Sequence, residues 1–577
     1  MAKAVEHNEQ EVWRRWVGIA ERFLLNGWLP LVVLVALAAG SAAQKSATFD
    51  EPVFLASGGY YLRTGDTRFN AENPPLIKAI YALPTLLWGE GKFSKVPSSV
   101  FYSYSMGEGF RQANEMVFNC PQFRLLIFLC RLMPILVTCA LGYLLYRLVC
   151  PLWGARVGRI VLWGLALSPN MMAHARLTTA DMATAFLFLA CAGATHQFLK
   201  KQSLRTSLIL GGSIGALLLS KFTGVLILCV YLVQVLGFYA FRRPAVSGRT
   251  VALWSLPAFL VALLMLNTAY SFRGTGASLD SLELRSSMMG KIASIPLVSD
   301  IPMPLPKGYI KGFDIVAYHN EQGLPNIFLG EYYPEGETWW HYYVVAVLLK
   351  TPLPFLFILG AGAVLCVRMR RRLDWSLLWV YGVPAAVLFL NFSVLAYRQL
   401  GIRYILPVWP FFFIMAAAVL YRFRNVWRER RLALSAAAGL AWYLAGSVCI
   451  FPHYLSYFNT LAGGPDDGWQ YLAASNIDWG QDLPALKRWQ KAHDYPRMYV
   501  LYYGTAPLKA YGVERVPWGE KPLPRYIAVS VTNYYLYRDV PLIQYLRREK
   551  EPLAYAGRSI HIYEMPQNLA EVQRMTQ

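Results

Sequence analysis

The stretch SATFDEPVFLASGGYYLRTGDTRFNAENPPLIKAI, from Ser46 to Ile80, lies one lysine beyond the uncharged apolar run WLPLVVLVALAAGSAAQ. It presents Asp50 and Glu51 soon after that run, and Glu72 just before two prolines. A carboxylate at the mouth of a membrane span is costly to bury and easy for a sequence to avoid. These positions therefore indicate a chemical role at a membrane boundary, and the rest of the chain helps to define that role.

The composition is that of a polytopic α-helical membrane protein. Of 577 residues, 56% are hydrophobic and 15% are charged, whereas an average soluble domain has about 25% charged residues. Eleven apolar runs are predicted to be transmembrane helices, within a range of about 10 to 13, because several fall short of the ~20 residues that a span needs. The runs lie near 28–44, 124–149, 158–171, 181–198, 206–220, 222–240, 251–270, 342–366, 376–396, 403–421 and 432–451.

The positive charge indicates a topology. The net charge is +21, and its clusters fall in or beside short loops that eleven spans would place on the side of the N-terminus. Because positive loops stay in the cytoplasm, residues 1–27 are predicted to be a cytoplasmic amphipathic segment of a multi-pass protein of the plasma (inner) membrane. Short loops between spans form no basic folded face, so no nucleic-acid partner is expected.

Three long polar segments fall on the other side, at 45–123, 271–341 and 452–577. The first two are predicted to be outer loops of a transmembrane domain at 28–451. The third is predicted to be a small extracytoplasmic α/β domain, periplasmic or extracellular. There, DLPALKRWQKAH is typical of a helix, and RMYVLYY, RYIAVSV and SIHIYEM are typical of strands. The run NPPLIKAIYALPTLLWG is too short to span and is expected to lie in the membrane interface.

Ionisable side chains from distant parts of the chain converge on this outer face. Carboxylates can take a proton from a hydroxyl nucleophile, whereas lysine and arginine suit a phosphate leaving group. Their combination at a lipid–water boundary indicates group transfer from a lipid phosphate. Beyond Asp50, Glu51 and Glu72, the candidates are Asp181 in RLTTADMATAF, Lys221 in LLLSKFTGV, and Arg403 with Tyr404 in GIRYILPVWP.

Each candidate also has a purely structural interpretation. The first two carboxylates and Asp181 could cap helices that follow them. Lys221 could extend along the membrane to the interface, Arg403 could be a structural ion-pair partner, and Glu72 could precede a proline turn at the surface.

The tail contains one more candidate segment, SNIDWGQDL, with Asp478, Trp479 and Gln481 close together. One interpretation is turn and cap chemistry. The other is acceptor binding, or a lid over the outer cavity.

No cofactor is predicted with certainty. The eight cysteines show no metal-binding spacing, and the lone loop histidines, His319, His341 and His453, are not expected to bind metal. The carboxylates would accommodate a divalent cation, and its ligands would come from Asp50, Glu72 and Asp181.

Seven stretches, in this order along nearly the whole chain, resemble a family of membrane glycosyltransferases. They are FDEPVFLASGGYYLRTGD with NAENPPLIKAIYALP, then LSPNMMAHARLTTADMATAF, GALLLSKFTGVL, FLGEYYPEGETWWHYYVVAVLLKTPLP, GIRYILPVWPF and YFNTLAGGPDDGWQYLAASNIDWGQDL. The family is the GT-C group related to protein O-mannosyltransferases and the lipid A aminoarabinose transferase. The bacterial phospholipid-carrier-dependent branch is the most similar.

The resemblance implies a GT-C fold and an inverting transfer. A sugar would move from an undecaprenyl- or dolichyl-type phosphate to an acceptor at the outer face, which could be a protein, lipid or glycan. Asp50 matches the residue taken as the catalytic base, and Glu51 completes the Asp-Glu pair. Glu72 matches the acidic residue of a Glu-x-Pro stretch, and Asp181 matches the second site aspartate.

Lys221 and Arg403 match the family's basic positions near the lipid phosphate, and Tyr404 follows Arg403 in the sequence. One position departs from the family pattern. Asn73 stands where relatives often have histidine and the aminoarabinose transferase has lysine. Because asparagine carries no charge, this position is grouped with the acceptor or lid candidates.

Two other classes of function stay open on the sequence. A flippase or transporter of polyprenyl-linked sugars would also have many spans and buried charges, although no repeat symmetry between halves is visible. A non-catalytic envelope glycan assembly factor could bind lipid-linked sugar through its tail. Loss of turnover on neutralising Asp50 would distinguish a catalyst from both.

Overall fold

The computed structural model describes residues 27–89, 91–242, 247–334, 337–368, 374–425 and 430–565. The segment predicted to be a cytoplasmic amphipathic N-terminus, 1–27, lies outside the described residues except for its last residue.

The described chain is a polytopic helical membrane protein. Within it, six helices are long and apolar enough to cross a bilayer. Apolar helices of 10–17 residues accompany them at Leu29–Ala43, Pro75–Leu87, Leu204–Leu218, Leu353–Arg368 and Leu434–Cys449. The six long helices are Phe123–Trp153, Asp181–Lys200, Phe222–Phe241, Gly248–Ala269, Trp375–Leu395 and Ile402–Arg422.

Two predicted spans are interrupted at prolines. The run near 158–171 forms the helix Ala155–Ala166, and a separate short helix, Pro169–Ala175, follows it. The run near 342–366 is divided into Tyr342–Lys350 and Leu353–Arg368 on either side of Pro352. Proline disfavours helical backbone at the residue before it. In each run, one helix therefore ends before the proline and a second helix begins at or just after it.

Burial separates inner from outer helices. The protein buries 78% of the most apolar stretch of Asp181–Lys200 and 67% of that of Ile402–Arg422, but only 33% for Phe222–Phe241 and for Gly248–Ala269. The outer helices expose leucines and other apolar side chains, as lipid contact requires. The helices that carry Asp181 and Arg403 are therefore the most enclosed of the six.

Segment 45–122 contains the helices Glu51–Thr64, Pro75–Ala82 and Met106–Phe118. The first two pack backbone against backbone at Gly58. A Cβ on Gly58 would lie 2.0 Å from the carbonyl oxygen of Lys78, so only glycine permits this approach. Pro75–Ala82 continues as a 3₁₀ turn, Leu83–Leu87, whose leucines are exposed, as an interfacial helix would require.

Segment 271–341 contains the helices Ser287–Ala293 and Lys307–Gln322. They are followed by an antiparallel hairpin of β1 (Asn326–Phe328) and β2 (Glu331–Tyr333).

The tail contains a four-stranded sheet. The strands are β3 (Met498–Leu501), β4 (Tyr526–Ser530), β5 (Ala554–Ala556) and β6 (Ile560–Glu564). Their order is β3-β4-β6-β5, with β3 parallel to β4 and the other pairs antiparallel. Each of the three predicted strand runs contains one strand, and β5 was not predicted. The helices are Leu483–Ala492, Val531–Leu536 and Pro541–Glu549.

The tail docks on the segment that follows the first apolar helix. The backbone nitrogens of Ser46 and Phe49 donate to the carbonyls of Gln481 and Trp479, at 3.0 Å each. Lys45 forms a buried ion pair with Asp482, 2.5 Å between Nζ and Oδ1. Burial alone would raise the pKa of Asp482, but Lys45 and other donors outweigh it and lower the pKa to about 2. The pair therefore holds the tail against the start of segment 45–122.

Candidate active site

Asp50 stands at the N-cap position of Glu51–Thr64, yet its side chain makes no capping hydrogen bond. Instead, Oδ2 accepts a hydrogen bond of 2.9 Å from Nη1 of Arg403. Burial raises the pKa of Asp50 above its usual range, and nearby Glu72 and Asp181 reinforce that shift against the opposing effect of Arg403. The structure therefore leaves Asp50 as a carboxylate with raised basicity, paired with one cation.

Glu51 lies apart from this arrangement. Its side chain is fully buried and forms an ion pair with Arg131, 2.6 Å between Oε2 and Nη2. The backbone nitrogens of Thr48 and Thr178 also donate to it, at 2.8 and 3.2 Å. Although adjacent in sequence, the two carboxylates point into different environments, and Glu51 is enclosed among structural partners.

Asp181 begins the most buried of the long helices. Its Oδ1 accepts a hydrogen bond of 2.7 Å from Nζ of Lys221, and its Oδ2 accepts one of 3.0 Å from the hydroxyl of Thr179. Lys221 sits in an extended break between two apolar helices, and its side chain is 21% exposed. The pair therefore places a second carboxylate and a second cation at the end of the bundle.

Tyr404 connects the two ion pairs. The Lys221 ammonium lies 4.8 Å from the centre of its ring, and the Arg403 guanidinium lies 5.3 Å from the same centre. Arg403 also stacks on Trp479 of the tail at 4.1 Å. Such contacts attract cations through the ring quadrupole. Two cations, two carboxylates and two aromatic rings thus meet where the loops, the helix ends and the tail come together.

Glu72 contributes a third carboxylate. It accepts a hydrogen bond of 3.0 Å from Asn70, and its Oε2 lies 3.3 Å from Nδ1 of His319. Because Nε2 of His319 faces the carbonyl of Tyr104 at 2.9 Å, that nitrogen must be the donor. Burial alone would raise the pKa of Glu72, but the facing His319, Arg398 and Asn70 outweigh that effect and lower the pKa.

Among the acceptor or lid candidates, three have their polar atoms occupied within the protein. Asn73 donates to Asn70. Asp478 accepts from the backbone of Gly480 and Thr532, and Gln481 exchanges hydrogen bonds with the backbone of Ile477 and Trp479. These hydrogen bonds are of the kind that stabilise turns and packed loops.

Trp479 is the candidate of the tail that touches the ion pairs, through its stack with Arg403. The structure therefore brings together Asp50, Asp181, Lys221, Arg403, Tyr404 and Trp479, with Glu72 nearby, and separates Glu51 from them.

A divalent cation at Asp50, Glu72 and Asp181 stays a prediction. Each of these carboxylates already faces a positively charged or proton-donating side chain. In the part of the chain that the structure describes, no group of three or more histidines, cysteines or carboxylates is arranged to hold a metal ion. A metal would have to displace Arg403, His319 or Lys221 from its partner.

Sequence reasoning missed several residues of this region. Arg131 lies within a predicted span, with no local sign of its partner Glu51. His319 was considered only as a metal ligand. Arg398 precedes Arg403 by five residues in YRQLGIR, a spacing that signals its proximity, and it interacts electrostatically with Glu72, Asp50 and Tyr404.

No protein-family model and no curated protein matches the chain. Solved structures with a similar fold include ArnT from Cupriavidus metallidurans bound to undecaprenyl phosphate. That match has 13% identity and a TM-score of 0.49, and it covers 92% of this chain and 97% of that chain. The apo state of the same protein has 15% identity and a TM-score of 0.47, covering 93% and 97%.

A third similar structure is the archaeal oligosaccharyltransferase AglB from Archaeoglobus fulgidus, in complex with an inhibitory peptide and a dolichol-phosphate. It has 12% identity and a TM-score of 0.44, and it covers 86% of this chain and 62% of that chain. ArnT, the lipid A aminoarabinose transferase, and AglB both have the GT-C fold.

Proposed function

We propose that this chain is an inverting glycosyltransferase that moves a sugar from a polyprenyl phosphate to an acceptor at one face of the membrane. That face carries the segments 45–123 and 271–341 and the tail, and by the distribution of positive loops it is the extracytoplasmic one. The observation that carries the proposal is the meeting of Asp50–Arg403 and Asp181–Lys221 around Tyr404, at the ends of the most enclosed helices.

The reaction follows from what these groups can do. Asp50 takes the proton of the acceptor nucleophile, which attacks the anomeric carbon from the side opposite the lipid phosphate. The bond between that carbon and the phosphate oxygen breaks, and the bonding electrons leave with the polyprenyl phosphate. Arg403 and Lys221 stabilise the second negative charge that develops on the phosphate. Asp181 holds Lys221 in place, and Glu72 with His319 lies beside the acceptor.

Substrate would change the resting contacts. Arg403 is 2.9 Å from Asp50 in the structure, so a bound phosphate would compete with the carboxylate for the guanidinium. As Arg403 turns toward phosphate, Asp50 loses the partner that lowers its pKa. Binding of the donor would in this way make Asp50 a stronger base.

The test is transfer by the purified chain in nanodiscs. A set of radiolabelled undecaprenyl-phosphate sugars is supplied, with a membrane and periplasmic extract as the source of acceptor. Label that moves from lipid to an acceptor supports the proposal, and the labelled product identifies the acceptor class. Movement of the donor across sealed vesicles without any transfer would favour a flippase instead.

The pH dependence of the rate reports on Asp50. Only the carboxylate form can act as base, so we expect kcat/KM to fall as the pH drops through the pKa of Asp50. Because burial raises that pKa, the midpoint should lie above the usual aspartate value of about 3.9. The measurement is a pH–rate profile from pH 4 to 8, with recovery at neutral pH as the control for unfolding. A flat profile down to pH 4 would contradict the role of Asp50.

Trp479 is expected to position Arg403. Replacing it with alanine removes the ring under the guanidinium and should lower kcat about 3- to 30-fold, the range that a cation–π contact supplies. Trp479→Phe should retain most of the rate, because it keeps an aromatic face. Trp518→Ala, which removes an exposed tail ring stacked on Tyr499 at 4.3 Å, is the control for loss of a tail indole, and thermal unfolding of both variants accounts for the deeper burial of Trp479. Wild-type kinetics for Trp479→Ala would exclude this role.

A further inference from the structure

We propose that Arg398 is a further ligand of the donor phosphate. This inference rests on the function proposed above. The two cations assigned from the sequence are already paired: Arg403 with Asp50 at 2.9 Å and Lys221 with Asp181 at 2.7 Å. Each of these cations already has a carboxylate as its partner, so part of the charge that it would offer a phosphate is compensated. A site for a phosphate that gains charge during the reaction therefore needs another cation.

Arg398 supplies that cation. Its Nε is buried without a hydrogen-bond partner, and its guanidinium makes no ion pair with a carboxylate of the described residues. A buried guanidinium nitrogen without an acceptor is unfavourable, so this donor is suited to an anion that the protein does not itself provide. Arginine also matches phosphate oxygens with two parallel hydrogen bonds.

Arg398 interacts electrostatically with the charged residues of the candidate site. It interacts with Glu72 and Asp50, and also with Arg403 and Tyr404. Arg398 therefore belongs to the same group of charges as Arg403, and it makes no ion pair with a carboxylate of the described residues.

The segment that carries Arg398 forms hydrogen bonds with Trp339 of segment 271–341 and with the tail. Gln399 exchanges two hydrogen bonds with the backbone of Trp339, at 3.1 and 2.8 Å. Ser475 donates to the carbonyl of Leu400 at 2.6 Å, and Asn476 accepts from the nitrogen of Ile402 at 3.0 Å. These contacts fix the backbone on the C-terminal side of Arg398.

Gly401 makes the turn between the two arginines possible. Its φ is +78°, in the left-handed region that favours glycine, and a Cβ there would lie 2.7 Å from the hydroxyl oxygen of Ser475. The turn allows Arg398 and Arg403, five residues apart, to serve one site.

The residues before Arg398 are suited to the lipid part of the donor. Val394, Leu395 and Tyr397 are exposed, at the end of the apolar helix Trp375–Leu395. An apolar surface that leads to the guanidinium of Arg398 matches a molecule with a hydrocarbon chain and a phosphate head.

The test is direct binding of undecaprenyl phosphate to the full-length protein in detergent, followed through intrinsic tryptophan fluorescence. Arg398→Gln should bind it about 10- to 100-fold more weakly than wild type, the range expected for a hydrogen-bonded charge. Arg398→Lys keeps the charge without the two-pronged geometry. Its affinity for undecaprenyl phosphate should lie between those of wild type and Arg398→Gln. Arg515→Gln, which neutralises an exposed tail arginine, should bind like wild type.

The outcomes separate the two proposals. If wild type and Arg398→Gln bind undecaprenyl phosphate equally, the role of Arg398 is overturned while the proposed function stands. If wild type itself neither binds undecaprenyl phosphate nor transfers sugar from any undecaprenyl-phosphate sugar, both proposals fail. Should Arg398→Gln not fold, Arg398→Lys decides: unchanged affinity in that variant overturns the two-pronged contact, and weaker affinity supports it.

Discussion

Replacement of Asp50 by asparagine is expected to lower sugar transfer about 100- to 10,000-fold, the range that a positioned general base contributes. Asparagine has nearly the same shape but cannot accept the proton of the nucleophile. It can still accept a hydrogen bond from Arg403 through its amide oxygen, so the surrounding structure should be maintained. The variant should therefore lose turnover without losing its fold.

Donor affinity distinguishes this explanation from a binding defect. Loss of the Asp50 charge frees Arg403, which sits 2.9 Å from it, so Asp50→Asn should bind undecaprenyl phosphate at least as tightly as wild type. The measurements are initial rates at saturating donor, together with fluorescence binding of undecaprenyl phosphate.

The control variant is Asp280→Asn, the same substitution in an exposed part of segment 271–341. It should behave as wild type in both measurements. Transfer by Asp50→Asn at the wild-type rate would remove Asp50 as the base, and equal loss in both variants would show a general effect of the substitution.

Glu51→Gln is expected to lower the stability of the protein, whereas Asp50→Asn is expected to lower its turnover. Glu51→Gln leaves Arg131 buried without its counter-charge, and breaking one partner of a buried ion pair costs about 3–5 kcal/mol in stability. Arg131 is 1% exposed and Glu51 is fully buried, so water cannot replace the missing partner. The protein should melt at lower temperature or fail to remain monodisperse in detergent.

Removing both charges tests this explanation. Glu51→Gln combined with Arg131→Met should recover part of the stability, because no unpaired charge is left. Recovery should be incomplete, since Arg131 also donates to the carbonyls of Ala42, Lys45 and Ser46.

The measurements are thermal unfolding in detergent and transfer rates per folded molecule. If Glu51→Gln melts like wild type and loses transfer, Glu51 acts in the chemistry, as the family resemblance implied.

Much of the architecture could be predicted from local composition. Ten of the eleven expected spans coincide with one of the long or short apolar helices, wholly or in part, and the exception, near 158–171, ends early at Ser168–Pro169. The coarse fold class, a polytopic helical membrane protein, is thereby confirmed, while the count of spans stays a prediction. Apolarity over ~20 residues is a property of consecutive residues, so the sequence alone reveals it.

The partners in the site could not be predicted in the same way. Asp50 and Glu51 looked like one acidic pair, but neighbours on a helix point about 100° apart, so the two side chains leave the start of Glu51–Thr64 in different directions. Which direction meets Arg403 and which meets Arg131 depends on how that helix packs. Likewise, Lys45 and Asp482 are separated by 437 positions, and no local pattern connects them.

The amino-acid sequence predicts that charged groups gather at one end of a helical bundle, because a lone charge buried in a bilayer is strongly unfavourable. Of the residues that it indicated, Asp50, Asp181, Lys221 and Arg403 lie together there, whereas Glu51 is paired with Arg131. The pairing of the charges, the enclosure of Glu51 and the lack of an ion pair at Arg398 among the described residues are visible only in the folded chain. The reason is physical: span position follows from local apolarity, whereas pairing follows from helix rotation and long-range packing.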